Sequence, residues 1–345
     1  MPPKFRVGII GCGIAAQFFH APAYRLLQDL IEVIAIADPN PENRNLVQAI
    51  LPNLVKQYTS LETMFETEQV DMADIMLPHN LYADVIPRVA HYCRNILVEK
   101  PFARTLQDAQ KILASTSGLN FSVVHNYIYG RRYKNALEVI ASGKIGTPFM
   151  VRLENLNTGM ASINPSLTTP WRNQSEGAGR GTFHDHGFHL VYLARALMGS
   201  EVIAVSASMG NYYKEGDALD TAVVTLFHEN GGMSILLDGK LNNQEPEEVE
   251  EVLGTKGTLK INPVTDTMEK FKIDLQNLPR NEVLKNSPYA SSTAACIMDF
   301  VNSVLTSKKL PVTADEAYRN LYITLAAYES YDQKRVVEIP KNLLI

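Results

Sequence analysis

The first third of the chain alternates between two hydrophobic periods. Short apolar runs at Phe5–Ile10, Val33–Ala37, Met72–Leu77, Asn95–Val98 and Phe121–Val124 have the length of buried strands. Between them, Ala15–Leu30, Pro41–Ile50 and Leu81–Cys93 carry helical spacing. Strand–helix alternation of this kind predicts βαβ units and a parallel sheet. The apolar runs lack strict alternation, as expected of strands covered on both faces.

Near residue 123 the pattern changes. Asn135–Ser142 reads as a helix stopped by Gly143 and Gly146. Longer, alternating segments follow at Pro148–Asn157, Val202–Met209, Thr221–Phe227, Met233–Asp238 and Gly257–Ile261, which predict an open, mostly antiparallel sheet. His189–Met198, Ala294–Thr306 and Asp315–Ser330 read as helices, the last with Thr313 as N-cap and Glu316 completing a capping box. Glu245–Glu251 reads as a solvated loop and strand edge. The fold class expected is α/β: a doubly wound parallel sheet over residues 1–123, then an α/β domain with an open sheet over 124–345. The last helix is free to pack back on the first domain.

A chain of 345 residues fits two domains. Its net charge of −5 gives no bulk attraction for nucleic acid or anionic lipid, so neither partner is expected. Three widely spaced cysteines, Cys12, Cys93 and Cys296, argue against a disulfide framework and fit a reducing compartment. No apolar run approaches the ~18–20 residues that span a bilayer. The stretch after the N-terminal Met-Pro-Pro is too short for a signal sequence. A soluble, cytoplasmic protein is expected, an exported one with its leader removed being the alternative.

Gly11-Cys12-Gly13-Ile14-Ala15-Ala16 follows the first strand and opens the first helix. This is the context in which G-x-G-x-x-A binds a dinucleotide. Gly11 permits the tight turn, Gly13 clears the way for a pyrophosphate, and Ala16 lets helix and strand pack closely. The helix N-terminus at Ile14 and Ala15 offers N–H groups to the phosphates. Asp38, 22 residues after Ala16, can accept hydrogen bonds from the adenosine ribose and would repel a 2′-phosphate. That favours NAD, with NADP left open by the nearby Arg44.

Two further elements carry chemistry. Glu99-Lys100-Pro101 closes an apolar run, and strand C-termini of an open α/β sheet face the ligand crevice. Lys100 reads either as a substrate-contacting ammonium or as half of a surface Glu–Lys pair. Asp185 and His189 are four apart, on one face of a helical turn. A carboxylate there would fix the imidazole tautomer, and His189 would take the hydroxyl proton during hydride removal. The competing reading is a capping Asp and a core His. His184, His186 and His189 place at most two side chains on one face, and no metal is expected. His184 and His186 are expected at a pocket mouth or a subunit contact.

Together with Gly254-Thr255-Lys256-Gly257-Thr258-Leu259 and the tails Val312–Ala317 and Ala327–Ser330, these motifs identify a resemblance covering almost the whole chain. The chain resembles the glucose–fructose oxidoreductase / inositol 2-dehydrogenase / MocA family of NAD(P)-dependent oxidoreductases. The resemblance implies a Rossmann domain followed by an α/β domain, with Lys100, Asp185 and His189 as catalytic set. His189 would be the acid/base, Lys100 would polarise the reacting hydroxyl, and Asp185 would orient His189 or bind a neighbouring hydroxyl. Pro78, Asn80, Glu99 and Lys100 would border the cofactor. Tyr127, Asn155, Trp171, Arg172 and His186 would contact the substrate, a sugar, cyclitol or glycoside. A homodimer or homotetramer is implied by analogy. Tyr82 stands where the family pattern has His. Arg180, with His184 and His186, points to a pocket for a larger or anionic glycoside. Two alternatives accompany this reading: a redox-neutral enzyme that oxidises its sugar transiently and retains NAD, and a non-catalytic dinucleotide-sensing regulator.

Overall fold

The computed structural model describes residues 3–157, 170–213, 216–240, 249–261, 287 and 289–343. They fall into two compact units. The first lies within Met1–Ala103, Gln107–Asn126 and Ile273–Ala317, the second within Arg104–Leu106, Tyr127–Lys272 and Tyr318–Ile345.

The first unit is built on a six-stranded parallel sheet of β1 (Phe5–Ile10), β2 (Ile31–Ala37), β3 (Lys56–Tyr58), β4 (Met72–Ile75), β5 (Asn95–Val98) and β6 (Asn120–Val123). Its order, β3-β2-β1-β4-β5-β6, is that of a Rossmann fold, with the strand order reversing between β1 and β4. Val7, Ile9, Ile36, Ile75, Ile96 and Val98 are fully buried, which is why these strands read as apolar runs. β3 escaped the sequence reading because Lys56-Gln57-Tyr58 is a short, polar edge strand. The first helix departs from the expected uninterrupted segment. It widens into a π-helical turn at Ala16–His20 before α1 (Ala21–Leu26). Pro22 has no N–H to continue the regular ladder there. Helices α2 (Pro41–Ile50), α3 (Leu61–Thr67), α4 (Tyr82–Val89) and α5 (Leu106–Ser115) complete the alternation. Asn40 caps α2, and its side chain accepts the Glu42 N–H at 2.9 Å.

The second unit opens with α6 (Arg131–Ala141) and carries a seven-stranded sheet of order β12-β11-β7-β10-β9-β8-β13. The strands are β7 (Pro148–Asn157), β8 (Val202–Gly210), β9 (Thr221–His228), β10 (Met233–Lys240), β11 (Glu250–Gly254), β12 (Gly257–Lys260) and β13 (Val337–Glu338). Among the described strands of this sheet only β7 and β10 pair in parallel, so the sheet is mostly antiparallel. Before β8 come three short helical segments, α7 (Ser175–Ala178), α8 (Thr182–Asp185) and α9 (Gly187–Met198). Ten of the twelve residues of α9 are buried, which covers one face of β7 and β10. On β9 burial alternates, leaving Val223 exposed, and Ile203 on β8 and Met233 on β10 are exposed on the neighbouring strands. The expected solvated stretch Glu245–Glu251 is corrected in part. Residues 245–248 lie outside the described residues, but Glu250 is a buried strand residue, paired with Arg132 at 3.2 Å and bonded by Tyr133. Buried charge of this kind is retained where a partner is in place.

Near the C-terminus lie α10 (Ala290–Leu305) and α11 (Ala314–Gln333). Within the first unit α10 packs on α1. The Glu316 N–H donates to Thr313 Oγ1 at 3.3 Å, so the predicted N-cap forms.

Candidate active site

In the first unit the C-terminal end of β1 runs directly into the Gly-rich turn. Gly11 has φ +88°, and a Cβ there would lie 2.1 Å from the Met76 carbonyl oxygen, so only glycine fits. A Cβ on Gly13, in contrast, would meet nothing within 4 Å. Open space against a bare backbone, at the start of the helix that Ile14, Ala15 and Ala16 begin, is the cradle a pyrophosphate requires. Asp38, at the end of β2, is drawn into the same turn. Its Oδ2 accepts the Cys12 N–H at 2.7 Å and its Oδ1 accepts the Asn40 N–H at 2.8 Å. Arg44 donates to the Asp38 carbonyl and leaves its buried Nε without a partner.

Past β4, Pro78 leads into a single 3₁₀ turn, His79–Leu81. The Asn80 Oδ1 is buried there without a hydrogen-bond partner, an acceptor available to a bound dinucleotide. Tyr82, the departure from the family pattern, is fully buried, and its hydroxyl accepts the Leu77 N–H at 3.3 Å. It braces the turn.

Glu99 and Lys100 follow directly on the C-terminal end of β5. The Lys100 N–H donates to Glu99 Oε2 at 2.9 Å. Glu99 Oε1 lies 3.1 Å from Nε2 of His20, whose Nδ1 lies 2.7 Å from Asp74 Oδ2. Tyr24 donates to the same Asp74 oxygen at 2.7 Å. His20 and Asp74 are fully buried. Burial alone would drive the proton off His20, but the Asp74 and Glu99 carboxylates outweigh it and raise its pKa to about 10. Burial pushes Glu99 up in turn, yet the hydrogen bond and charge of His20, with Lys100, hold it below its usual value. A buried imidazolium thus bridges two carboxylates and, through Glu99, fixes the Lys100 backbone. Sequence reading missed this cluster because its members are 54 and 79 residues apart. The available signal was a lone histidine on an otherwise apolar helix face, which needs a buried partner.

In the second unit the Asp185–His189 helix of the sequence reading is two segments, α8 and α9, joined at His186. The His189 N–H donates to the His186 carbonyl at 3.0 Å, a tightened turn. Asp185 Oδ2 accepts Arg172 Nε at 2.6 Å, and the Arg172 guanidinium lies 4.8 Å from the Trp171 ring centroid. The carboxylate expected to orient His189 is therefore engaged by Arg172, while Nδ1 of His189 lies 2.6 Å from the Tyr192 hydroxyl. The Tyr127 ring stacks on His189 with centroids 3.9 Å apart and planes 10° from parallel. Tyr192 is the residue sequence reasoning missed. Its only signal was its place three residues after His189 on one helix face.

His186 is half-buried, with Nδ1 2.9 Å from the fully buried Asp238 and Nε2 2.9 Å from the Asn155 amide. His184, expected at a pocket mouth or subunit contact, is instead fully buried. Its ring packs against Gly179, where a Cβ would lie 3.0 Å away. Among the described residues no group of three or more His, Cys, Asp or Glu side chains is arranged to hold a metal ion, and no helix is long and apolar enough to cross a membrane.

Comparison with known proteins follows this division. An oxidoreductase-family model with an NAD-binding Rossmann fold matches residues 5–125, and a GFO/IDH/MocA C-terminal domain model matches residues 133–260. The chain is 24% identical over 346 residues to the myo-inositol 2-dehydrogenase of Thermotoga maritima, covering 97% of this chain and 98% of that protein. It is 26% identical over 276 residues to the 2,7-anhydro-N-acetylneuraminate hydratase of Mediterraneibacter gnavus, covering 77% of this chain and 69% of that one. The WlbA dehydrogenase of Bordetella pertussis, solved with NADH and UDP-GlcNAcA, shares the fold with a TM-score of 0.81 at 21% identity, over 99% of each chain.

Proposed function

The chain belongs to the Gfo/Idh/MocA oxidoreductases, with an NAD-binding Rossmann domain as its first unit, and on that footing we propose that it is an NAD-dependent dehydrogenase for a secondary alcohol of a sugar, cyclitol or glycoside. Gly11, Gly13, Ile14, Ala15, Ala16, Asp38, Pro78, Asn80, Glu99 and Lys100 hold the cofactor. Bound NAD supplies a hydride acceptor. Lys100, Asp185 and His189 act as one set. The Lys100 ammonium donates to the reacting hydroxyl oxygen and stabilises negative charge as it develops there. His189 takes the hydroxyl proton, the O–H electron pair becomes the new C=O bond, and the C–H pair leaves as hydride. Asp185, held by Arg172, binds a neighbouring hydroxyl. Tyr127, Asn155, Trp171, Arg172 and His186 contact the substrate, Trp171 offering an aromatic face to a sugar ring.

The observation that supports this reading most is the position of Lys100. It stands at the C-terminal end of a central parallel strand, where open α/β sheets bind ligands, with its backbone N–H held by Glu99 at 2.9 Å. A panel of polyols and glycosides, followed by nicotinamide absorbance with NAD and with NADP, tests it. Reduction of NAD by at least one member is expected, with NADP weaker because of Asp38. Tight NAD binding without turnover on any member would favour a dinucleotide-sensing regulator.

A second reading has one observation in its favour, the similarity to a protein named a hydratase. On that reading the alcohol is oxidised transiently, a substituent is eliminated or added, and the hydride returns. Product then forms while no free NADH accumulates. The remaining proposals are coarser: a cytoplasmic enzyme, assembled as a homodimer or homotetramer through the sheet face that exposes Val223 and Met233.

A further inference from the structure

His189 is gripped on two sides by tyrosines: Tyr127, proposed above as a substrate contact, and Tyr192, to which no role has been given. Tyr192 lies one turn along α9, so its hydroxyl reaches back to the same helix face. It stands 2.6 Å from Nδ1 of His189. Tyr127, from the 3₁₀ turn Asn126–Tyr129 before α6, covers the imidazole face at 3.9 Å. The two tyrosines are themselves coupled, because the backbone N–H of Tyr127 donates to the Tyr192 hydroxyl at 3.2 Å. Phe188 meets the Tyr192 ring edge-on at 6.2 Å. Tyr192 is 2% exposed and His189 5%. A buried ring stacked on one face and bonded through one nitrogen has a single orientation left.

We propose that Tyr192 is a positioning residue: its hydroxyl oxygen accepts the Nδ1 proton of His189, and with Tyr127 it fixes the imidazole so that Nε2 is the nitrogen that exchanges a proton with the substrate hydroxyl. The inference rests on the reading of His189 as the acid/base. The direction of the hydrogen bond follows from that chemistry. Nε2 can take the hydroxyl proton only with its lone pair exposed, which puts the neutral-state proton on Nδ1. When Nε2 is protonated, Nδ1–H still donates to the same phenol oxygen. The one arrangement therefore serves both protonation states without moving a heavy atom. A carboxylate at this place would also orient the ring, but it would bury a charge. The phenol orients it without one. Which nitrogen reacts is set by the bond the other makes, and here that bond comes from Tyr192, while Asp185 is held by Arg172 at 2.6 Å.

The test uses the full chain with ¹⁵N-labelled histidine, the His189 signals being assigned by comparison with His189→Gln. In the native protein neutral His189 is expected as the Nδ1–H tautomer. Tyr192→Phe keeps the ring and removes the oxygen. It should mix the tautomers and lower kcat by about 10- to 100-fold while KM and NAD affinity change less than about threefold. An Nε2–H tautomer in the native protein, or an unchanged tautomer in Tyr192→Phe, overturns the proposal. Should Tyr192→Phe lose its fold by circular dichroism, 3-fluorotyrosine introduced at 192 replaces it. That phenol is a poorer acceptor and a better donor, so it should shift population away from Nδ1–H; a shift toward Nδ1–H overturns the proposal. The base reading fails separately. If His189→Gln keeps near-normal turnover, His189 is not the acid/base, whatever the tautomer measurement shows.

Discussion

Replacing His20 by Gln removes the one cation between Asp74 and Glu99 and leaves two carboxylates in a buried site. The rise of the His20 pKa from 6.5 to about 10 is worth about 5 kcal/mol at ~1.4 kcal/mol per pH unit. That is the scale on which breaking one partner out of a buried ion pair destabilises a fold, ~3–5 kcal/mol. The sign follows from a raised folded-state value. The contribution is fully present below pH 6.5 and is lost as pH rises through about 10. The stability gap between native protein and His20→Gln should therefore be about 4 kcal/mol at pH 7 and shrink steadily as pH rises through 8 and 9. Glu99 contributes in the opposite sense, since its value is lowered: that part is present above the usual carboxylate range and fades as pH falls. Urea unfolding of the first unit, read by hydrogen exchange at the amides of β1, β4 and β5, measures the gap. Asp74→Asn in the His20→Gln background should restore part of it by removing one uncompensated charge. A gap under about 1 kcal/mol at pH 7, or one that does not change between pH 6.5 and 10, refutes a charged His20 at this position.

Gly13→Val should lower NAD affinity by at least about tenfold with little loss of stability, because its side chain would occupy space that only a ligand fills; titration calorimetry and thermal melting read the two effects. Gly11→Ala should cost stability as well, about 1–3 kcal/mol or more, from its positive φ and its contact with Met76. Arg172→Gln should lower kcat/KM for the substrate found in the screen by about 10- to 100-fold without changing NAD affinity, because it frees Asp185 from its 2.6 Å partner; an unchanged kcat/KM would remove Asp185 from the substrate site.

Some of this molecule is legible in one dimension. β1, β2, β4, β5 and β6 are largely buried on both faces, so most of their residues are apolar, and the Gly-rich turn and Glu99-Lys100-Pro101 sit at or just past strand ends where local sequence fixes the geometry. The family is equally local, since each motif is a few residues long. What stayed hidden is set by distance or by an unusual local choice. β3 carries too little apolar surface to register. The π-helical turn at Ala16–His20 depends on Pro22 and on a histidine reaching partners on two other strands. Glu250 sits in a charged stretch that reads as solvent-facing, yet Arg132 and Tyr133 bury it. Asp185 and His189 share a helix face by spacing, but the contacts of Asp185 with Arg172, thirteen residues earlier, and of His189 with Tyr192 were not legible in it. Spacing places residues on a face; it does not choose among the partners available there.

The central claim is that Lys100 and His189 carry hydride transfer on a chain that binds NAD. The most direct measurement is turnover of Lys100→Ala and His189→Ala on the substrate found in the screen, with NAD affinity measured on the same samples. Both variants should still bind NAD, His189→Ala within about threefold of the native protein and Lys100→Ala more weakly for the loss of one cofactor contact, and both should lose turnover by about 10²-fold or more at saturating NAD. Near-normal turnover in either variant, with NAD still bound, would contradict the account.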